Sequence, residues 1–109
     1  TGRLLQVRET DFDFRTPKRL GDTLLDTPFS LDDTAYYAAQ VYSPVSGLRM
    51  RVYTNQRGIV VYTPEDFPSI CLETQNFPDA PRYEHFPSSL LLPGQTYRNE
   101  SRFVFEKAT

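Results

Sequence analysis

From position 36 to position 107 the chain alternates apolar and polar side chains with a period of two, interrupted every few residues by proline or glycine. Successive side chains of a strand point to opposite faces, so this pattern predicts short strands with one face inward. Tyr36 to Ser43 is a β-rich run, and Pro44-Val45-Ser46-Gly47 is a turn. Leu48 to Thr54 then sets Leu48, Met50 and Val52 against Arg49, Arg51 and Tyr53, which predicts a hairpin. Asn55 to Gly58 supplies a second turn. The apolar, β-branched run Ile59 to Thr63 reads as a strand buried on both faces, extending the hairpin into a meander.

Ser69 to Gln75 alternates again, with Ile70, Leu72 and Thr74 on one face and Cys71, Glu73 and Gln75 on the other. Asn76 to Pro87 contains Pro78, Pro81 and Pro87, none of which can donate to a ladder, so it is expected as a loop. After the turn at Pro93-Gly94, Gln95 to Lys107 opposes Tyr97, Phe103 and Phe105 to Arg98, Glu100 and Arg102, as a terminal strand does. Nearer the start, Phe12-Asp13-Phe14 is expected as a short strand, Pro17 to Leu25 as a connecting loop and Pro28 to Leu31 as another brief strand. Seven or eight strands separated by turns in one domain predict an all-β, antiparallel fold, a sandwich or part of one.

The length of 109 residues allows one core and excludes a second domain. Twelve basic residues against 14 acidic ones, scattered along the chain, argue against nucleic acid as a partner. No apolar run approaches the roughly 18 residues needed to cross a bilayer, and Thr1 to Glu9 lacks the apolar centre of a signal peptide. A soluble, cytoplasmic protein with no membrane partner is expected. Cys71 is the single cysteine and His85 the single histidine, so neither an intrachain disulfide nor a multi-histidine metal site can be built. His85 reads as an exposed loop residue, Asn99-Glu100-Ser101 as an exposed strand segment, and Asp32 and Asp33 as loop carboxylates. The chain opens without an initiator methionine, which suggests a piece of a longer polypeptide.

Several segments carry a family resemblance. They are Phe12-Asp13-Phe14-Arg15-Thr16-Pro17 with Leu20-Gly21, Leu25-Asp26-Thr27-Pro28-Phe29, Val52 to Gly58, Cys71 to Ala80, Phe86 to Ser89, and Leu92 to Tyr97. In this order they resemble the aldose 1-epimerase (galactose mutarotase) family, its C-terminal third. The resemblance implies part of an antiparallel β-supersandwich, incomplete on its N-terminal side, that acts without a cofactor on the anomers of hexoses, galactose and glucose especially. In that family the glutamate of the Leu-Glu-Thr-Gln motif, here Glu73, removes the anomeric hydroxyl proton while a histidine protonates the ring oxygen. Asp26 matches the aspartate that hydrogen-bonds sugar hydroxyls.

Ring opening at neutral pH needs one group to take a proton and another to deliver one, each worth roughly 10²–10⁴-fold. A lone carboxylate supplies half of this. Glu73, with Cys71 and Gln75 on its face and a proline-rich loop after it, is expected to be partly desolvated, as suits a base. A carboxylate at Asp26 is a natural acceptor for adjacent hydroxyls.

The departures from the family also matter. Val60 stands where many members have glutamine, Thr27 stands in place of a histidine, and Pro64 to Ser69 is short. The family's active-site histidines have no counterpart here, so the isolated chain is expected to be inactive. Its uncovered sheet edges predict self-association or pairing with the missing N-terminal part. The rival reading is a non-catalytic carbohydrate-binding or interaction module of the same fold; a glutamate base is something such a module does not need.

Overall fold

The computed structural model describes residues 2–32 and 36–108; Asp33 lies outside them. Six strands form: β1 (Asp26–Ser30), β2 (Ala39–Ser43), β3 (Leu48–Thr54), β4 (Gly58–Tyr62), β5 (Cys71–Gln75) and β6 (Ser101–Lys107). They make two antiparallel three-stranded sheets, ordered β1-β4-β5 and β2-β3-β6. The only helical turn among the described residues is the 3-10 segment Ala80–Arg82, so the all-β antiparallel class expected from the alternation is what the chain adopts.

The hairpin of β2 and β3 is present, but it does not grow into a meander. β4 leaves β3 at the Asn55 to Arg57 turn and joins the other sheet, between β1 and β5. Polar groups at the turn mark the crossing. Asn55 Nδ2 donates to the Arg98 carbonyl at 3.0 Å, and the Glu100 N–H donates to Asn55 Oδ1 at 3.0 Å. These bonds occupy the chain leaving β3 with the approach to β6, which takes the ladder position beside β3. Nor is β4 buried on both faces: Ile59 is buried at 3% exposure, whereas Tyr62 is 40% exposed.

Phe12 to Phe14 forms no strand. The Arg15 N–H donates to Asp13 Oδ1 at 3.3 Å and Phe12 N–H donates to Thr10 Oγ1 at 3.2 Å, so short polar side chains take backbone donors that a ladder would use. The segment instead docks by its rings, with Phe14 edge-to-face on Phe29 of β1 at 6.5 Å and Lys18 Nζ 4.3 Å from the Phe14 ring centre. The terminal strand also starts later than the alternation suggests, at Ser101.

The two sheets are tied at one corner by a chain of hydroxyls. Thr74 Oγ1 on β5 lies 2.7 Å from Ser101 Oγ on β6, and Ser101 Oγ donates to Thr54 Oγ1 on β3 at 3.1 Å. Among the described residues the buried apolar ones are few: Leu25, Val52, Ile59 and Ala80. The radius of gyration is 15.4 Å, against roughly 13 Å for a compact domain of this length. The exposed surface is 8791 Å², against about 6,200 Å² for a compact monomer of this mass. Extended sheets with bare apolar faces account for the surplus: Leu48, Phe103 and Phe105 all lie on one face of β2-β3-β6 and all stay exposed.

Candidate active site

Register decides which side chains share a face of β1-β4-β5. Asp26 pairs with Tyr62 and Tyr62 with Cys71; Pro28 pairs with Val60 and Val60 with Glu73; Ser30 pairs with Gly58 and Gly58 with Gln75. These three rows lie on one face, because every second residue of each strand points the same way. Asp26 and Glu73 are therefore brought to the same side of the same sheet, on the two strands flanking β4. Two strand spacings and a two-residue offset put their Cα atoms roughly 12 Å apart. The two carboxylates thus stand on one open face, with Tyr62 and Val60 on the strand between them.

The aim of Asp26 is set by the residue before it. Leu25 is buried at 4% exposure, and Thr63, at 7%, closes on it from the far end of β4. Leu25 N–H donates to Thr63 Oγ1 at 2.6 Å, Thr63 N–H donates to the Leu25 carbonyl at 2.8 Å, and Thr63 Oγ1 donates to the Thr23 carbonyl at 3.3 Å. With Leu25 pinned inward, Asp26 turns outward.

One end of the face is walled. A Cβ on Gly58 would point onto it and meet Phe77 Cδ1 at 3.0 Å, so the ring of Phe77 lies over the Ser30-Gly58-Gln75 row. Phe77 belongs to an aromatic cluster with Phe86 (5.0 Å between centroids), Tyr83 and His85. Asn76 holds this loop closed: its Nδ2 donates to the Pro87 carbonyl at 2.9 Å and its Oδ1 accepts the Phe77 N–H at 2.9 Å. Asp79, in the left-handed region at φ 61°, turns the chain into the Ala80–Arg82 segment, whose Ala80 is buried.

The desolvation expected at Glu73 is not present. Glu73 and Asp26 are both exposed, because the loop after β5 folds over the Gly58 row and leaves the Val60 and Tyr62 rows open. Two hollows of about 300 and 350 Å³ lie elsewhere, around Tyr36, Tyr37, Tyr53 and Arg57 and around Asn55 and Arg102; neither is lined by Asp26 or Glu73. His85 is exposed, as expected, with its Nε2 2.6 Å from the Gly2 carbonyl. Among the described residues no three His, Cys, Asp or Glu side chains gather as a metal would require. Among the described residues no helix is long and apolar enough to cross a membrane.

Tyr62 is a site-face residue that reasoning from motifs missed. It stands in register between Asp26 and Cys71, with its ring accessible. The signal was in the alternation of β4, which puts Tyr62 on the same face as Val60.

Comparison with known proteins agrees with this reading of the segments. The family model for aldose 1-epimerase matches residues 1–104. The galactose mutarotases of Sus scrofa and Rattus norvegicus are each 35% identical over 132 residues, and that of Homo sapiens is 33% identical; the match covers 99% of this chain and 39% of each relative. The chain thus spans about two fifths of the length of these relatives, and the matched stretch is longer than the chain's own 109 residues, so residues of the relatives within it have no counterpart here. The chain belongs to the aldose 1-epimerase family.

Proposed function

We propose that this chain supplies the general base and part of the sugar-binding face of an enzyme that interconverts the α and β anomers of hexoses, galactose or glucose. The reading is supported above all by the placement of Glu73 and Asp26 on one face of β1-β4-β5. Glu73 takes the proton from the anomeric hydroxyl, Asp26 accepts hydrogen bonds from ring hydroxyls, and Tyr62 offers a ring against the sugar's C–H groups. As the C1 oxygen becomes a carbonyl, the ring C1–O5 bond breaks and O5 must be protonated. The chain's one histidine is engaged with the Gly2 carbonyl. The acid is therefore supplied from outside this segment, and the isolated chain is inactive. We place the protein in the cytoplasm on the same reading, its one thiol being free.

A second reading is favoured by the openness of the face: a carbohydrate-binding module that keeps the fold without catalysis. Both readings are tested first by titrating the labelled chain with D-galactose and following backbone amide resonances. Shifts at Asp26, Tyr62, Val60 and Glu73 are expected; shifts confined to the hollow around Tyr37 and Tyr53 contradict both. Mutarotation by a chimera, in which this chain replaces the matching stretch of the pig enzyme, separates the two.

A further inference from the structure

We propose that Val60 sets how the site reads the sugar's second carbon: the face receives a C2 methylene better than a C2 hydroxyl, so 2-deoxyhexoses are its preferred ligands. The inference rests on the reading of Glu73 as the group that holds the anomeric hydroxyl. Val60 stands at the centre of the site face, paired with Pro28 on one side and with Glu73 on the other. Directly opposed residues of antiparallel strands bring their Cβ atoms to about 5 Å. Whatever lies beside the Glu73 carboxylate along this row therefore meets an isopropyl group and then a proline ring.

The polar side chains around Val60 are committed elsewhere or lie a row away. Gln75, two residues from Glu73 on the same face, donates its Nε2 to the Asn76 carbonyl at 3.2 Å. Ser30 belongs to the Gly58 row, over which the ring of Phe77 lies. Tyr62 and Cys71 belong to the row of Asp26, roughly 7 Å along the strands. On the Val60 row itself Glu73 is the one polar side chain, and the anomeric hydroxyl occupies it.

Which edge of the sugar lies over Val60 follows from where the acid comes from. C1 is bonded to the anomeric oxygen, to O5 and to C2. O5 is protonated by a group outside this chain, so the O5 edge of the ring faces away from β1-β4-β5, where such a group can reach it. With the anomeric oxygen on Glu73, C2 is the remaining ring neighbour, and it comes down onto Val60. A hydroxyl there loses water to face an isopropyl group and gains no hydrogen bond, whereas a methylene loses nothing and buries C–H surface. The C3 hydroxyl, one carbon further along the same edge, is the one directed towards Asp26.

The test is amide-shift titration of the labelled 109-residue chain with D-galactose, 2-deoxy-D-galactose and 6-deoxy-D-galactose. All three sugars are expected to shift Asp26, Val60, Tyr62 and Glu73. The 2-deoxy sugar is expected to bind about 3–10-fold more tightly than galactose, and the 6-deoxy sugar to bind as galactose does. Val60→Gln, which puts a donor and an acceptor beside C2, is expected to reverse the order of galactose and 2-deoxygalactose. The unmodified chain reads the preference whether or not that variant folds well. Galactose bound as tightly as 2-deoxygalactose, or more tightly, means that the C2 hydroxyl has a partner on this face, such as the second oxygen of Glu73; it overturns the proposal and leaves the roles of Glu73 and Asp26 standing. A gain for the 6-deoxy sugar instead sets the C5 edge over Val60 and overturns the proposal equally. Absence of shifts on this face with all three sugars overturns the functional reading itself, and the proposal with it.

Discussion

Glu73 stands directly across the β4–β5 ladder from Val60, so the proposed base looks onto an isopropyl group at the centre of the site face. Cβ atoms of such partners lie about 5 Å apart, close enough for one longer polar side chain to reach whatever the carboxylate holds. Val60→Gln is expected to tighten galactose binding about 3–10-fold, the worth of one added hydrogen bond. Amide-shift titration of the two chains measures it. Unchanged or weaker binding places the sugar away from this row.

Thr63 fastens the entry to β1 through a buried hydroxyl. Thr63→Val keeps the shape and leaves the Leu25 N–H without that acceptor, a loss of about 1–3 kcal/mol. Urea unfolding followed by circular dichroism should show a lower midpoint with an unchanged slope. A change within a few tenths of a kcal/mol would mean that water replaces the hydroxyl and that Asp26 is aimed by other contacts.

Gly58 is fixed by its neighbours rather than by its backbone angles. A Cβ there would lie 3.0 Å from Phe77 Cδ1 and 3.2 Å from the Phe29 carbonyl oxygen, and the second of these is backbone. Gly58→Ala is expected to destabilise the chain by about 1–3 kcal/mol and to lift Phe77 off the sheet. The aromatic proton shifts of Phe77 report the displacement; a stable variant with those shifts unmoved contradicts the wall described here.

Asp13 and Arg15 form a two-point pair, Nε to Oδ1 and Nη2 to Oδ2, both at 2.8 Å. The guanidinium hydrogen bonds hold the Asp13 carboxyl well below the usual carboxylate range. A depressed folded value means that the pair's contribution is complete above the unfolded value of about 3.9 and is lost as pH falls through the folded one. No change from this pair is expected between pH 5 and 8. The Asp13 carboxyl should remain ionised as pH falls through 4, as read from the chemical shift of its carboxyl carbon, and Arg15→Ala should restore ordinary titration; an ordinary wild-type curve contradicts the pairing.

Much of the candidate site's layout was legible in the sequence because strand alternation is local. The separation of Glu73 from Leu72 and the turn at Asn55 to Gly58 follow from neighbours along the chain. Which strands pair does not. Val60 reads the same whether β4 continues a meander or crosses to β1, and the crossing depends on Asn55 meeting residues more than forty positions away. Phe12 to Phe14 shows the opposite failure: the alternation was correct, but Asp13 and Thr10 capture the backbone locally. The exposure of Glu73 also depends on where the loop after β5 comes to rest, which Phe77 against Gly58 decides and composition does not encode.

The central claim, that Glu73 removes the anomeric proton, is tested most directly by polarimetry. Freshly dissolved α-D-galactose is followed in the presence of the chimera carrying this chain in the pig enzyme, with and without Glu73→Gln. The account predicts accelerated mutarotation by the unmodified chimera and a fall of about 10²–10⁴-fold on the substitution, with galactose binding retained. A Glu73→Gln chimera that turns over at the unmodified rate contradicts it.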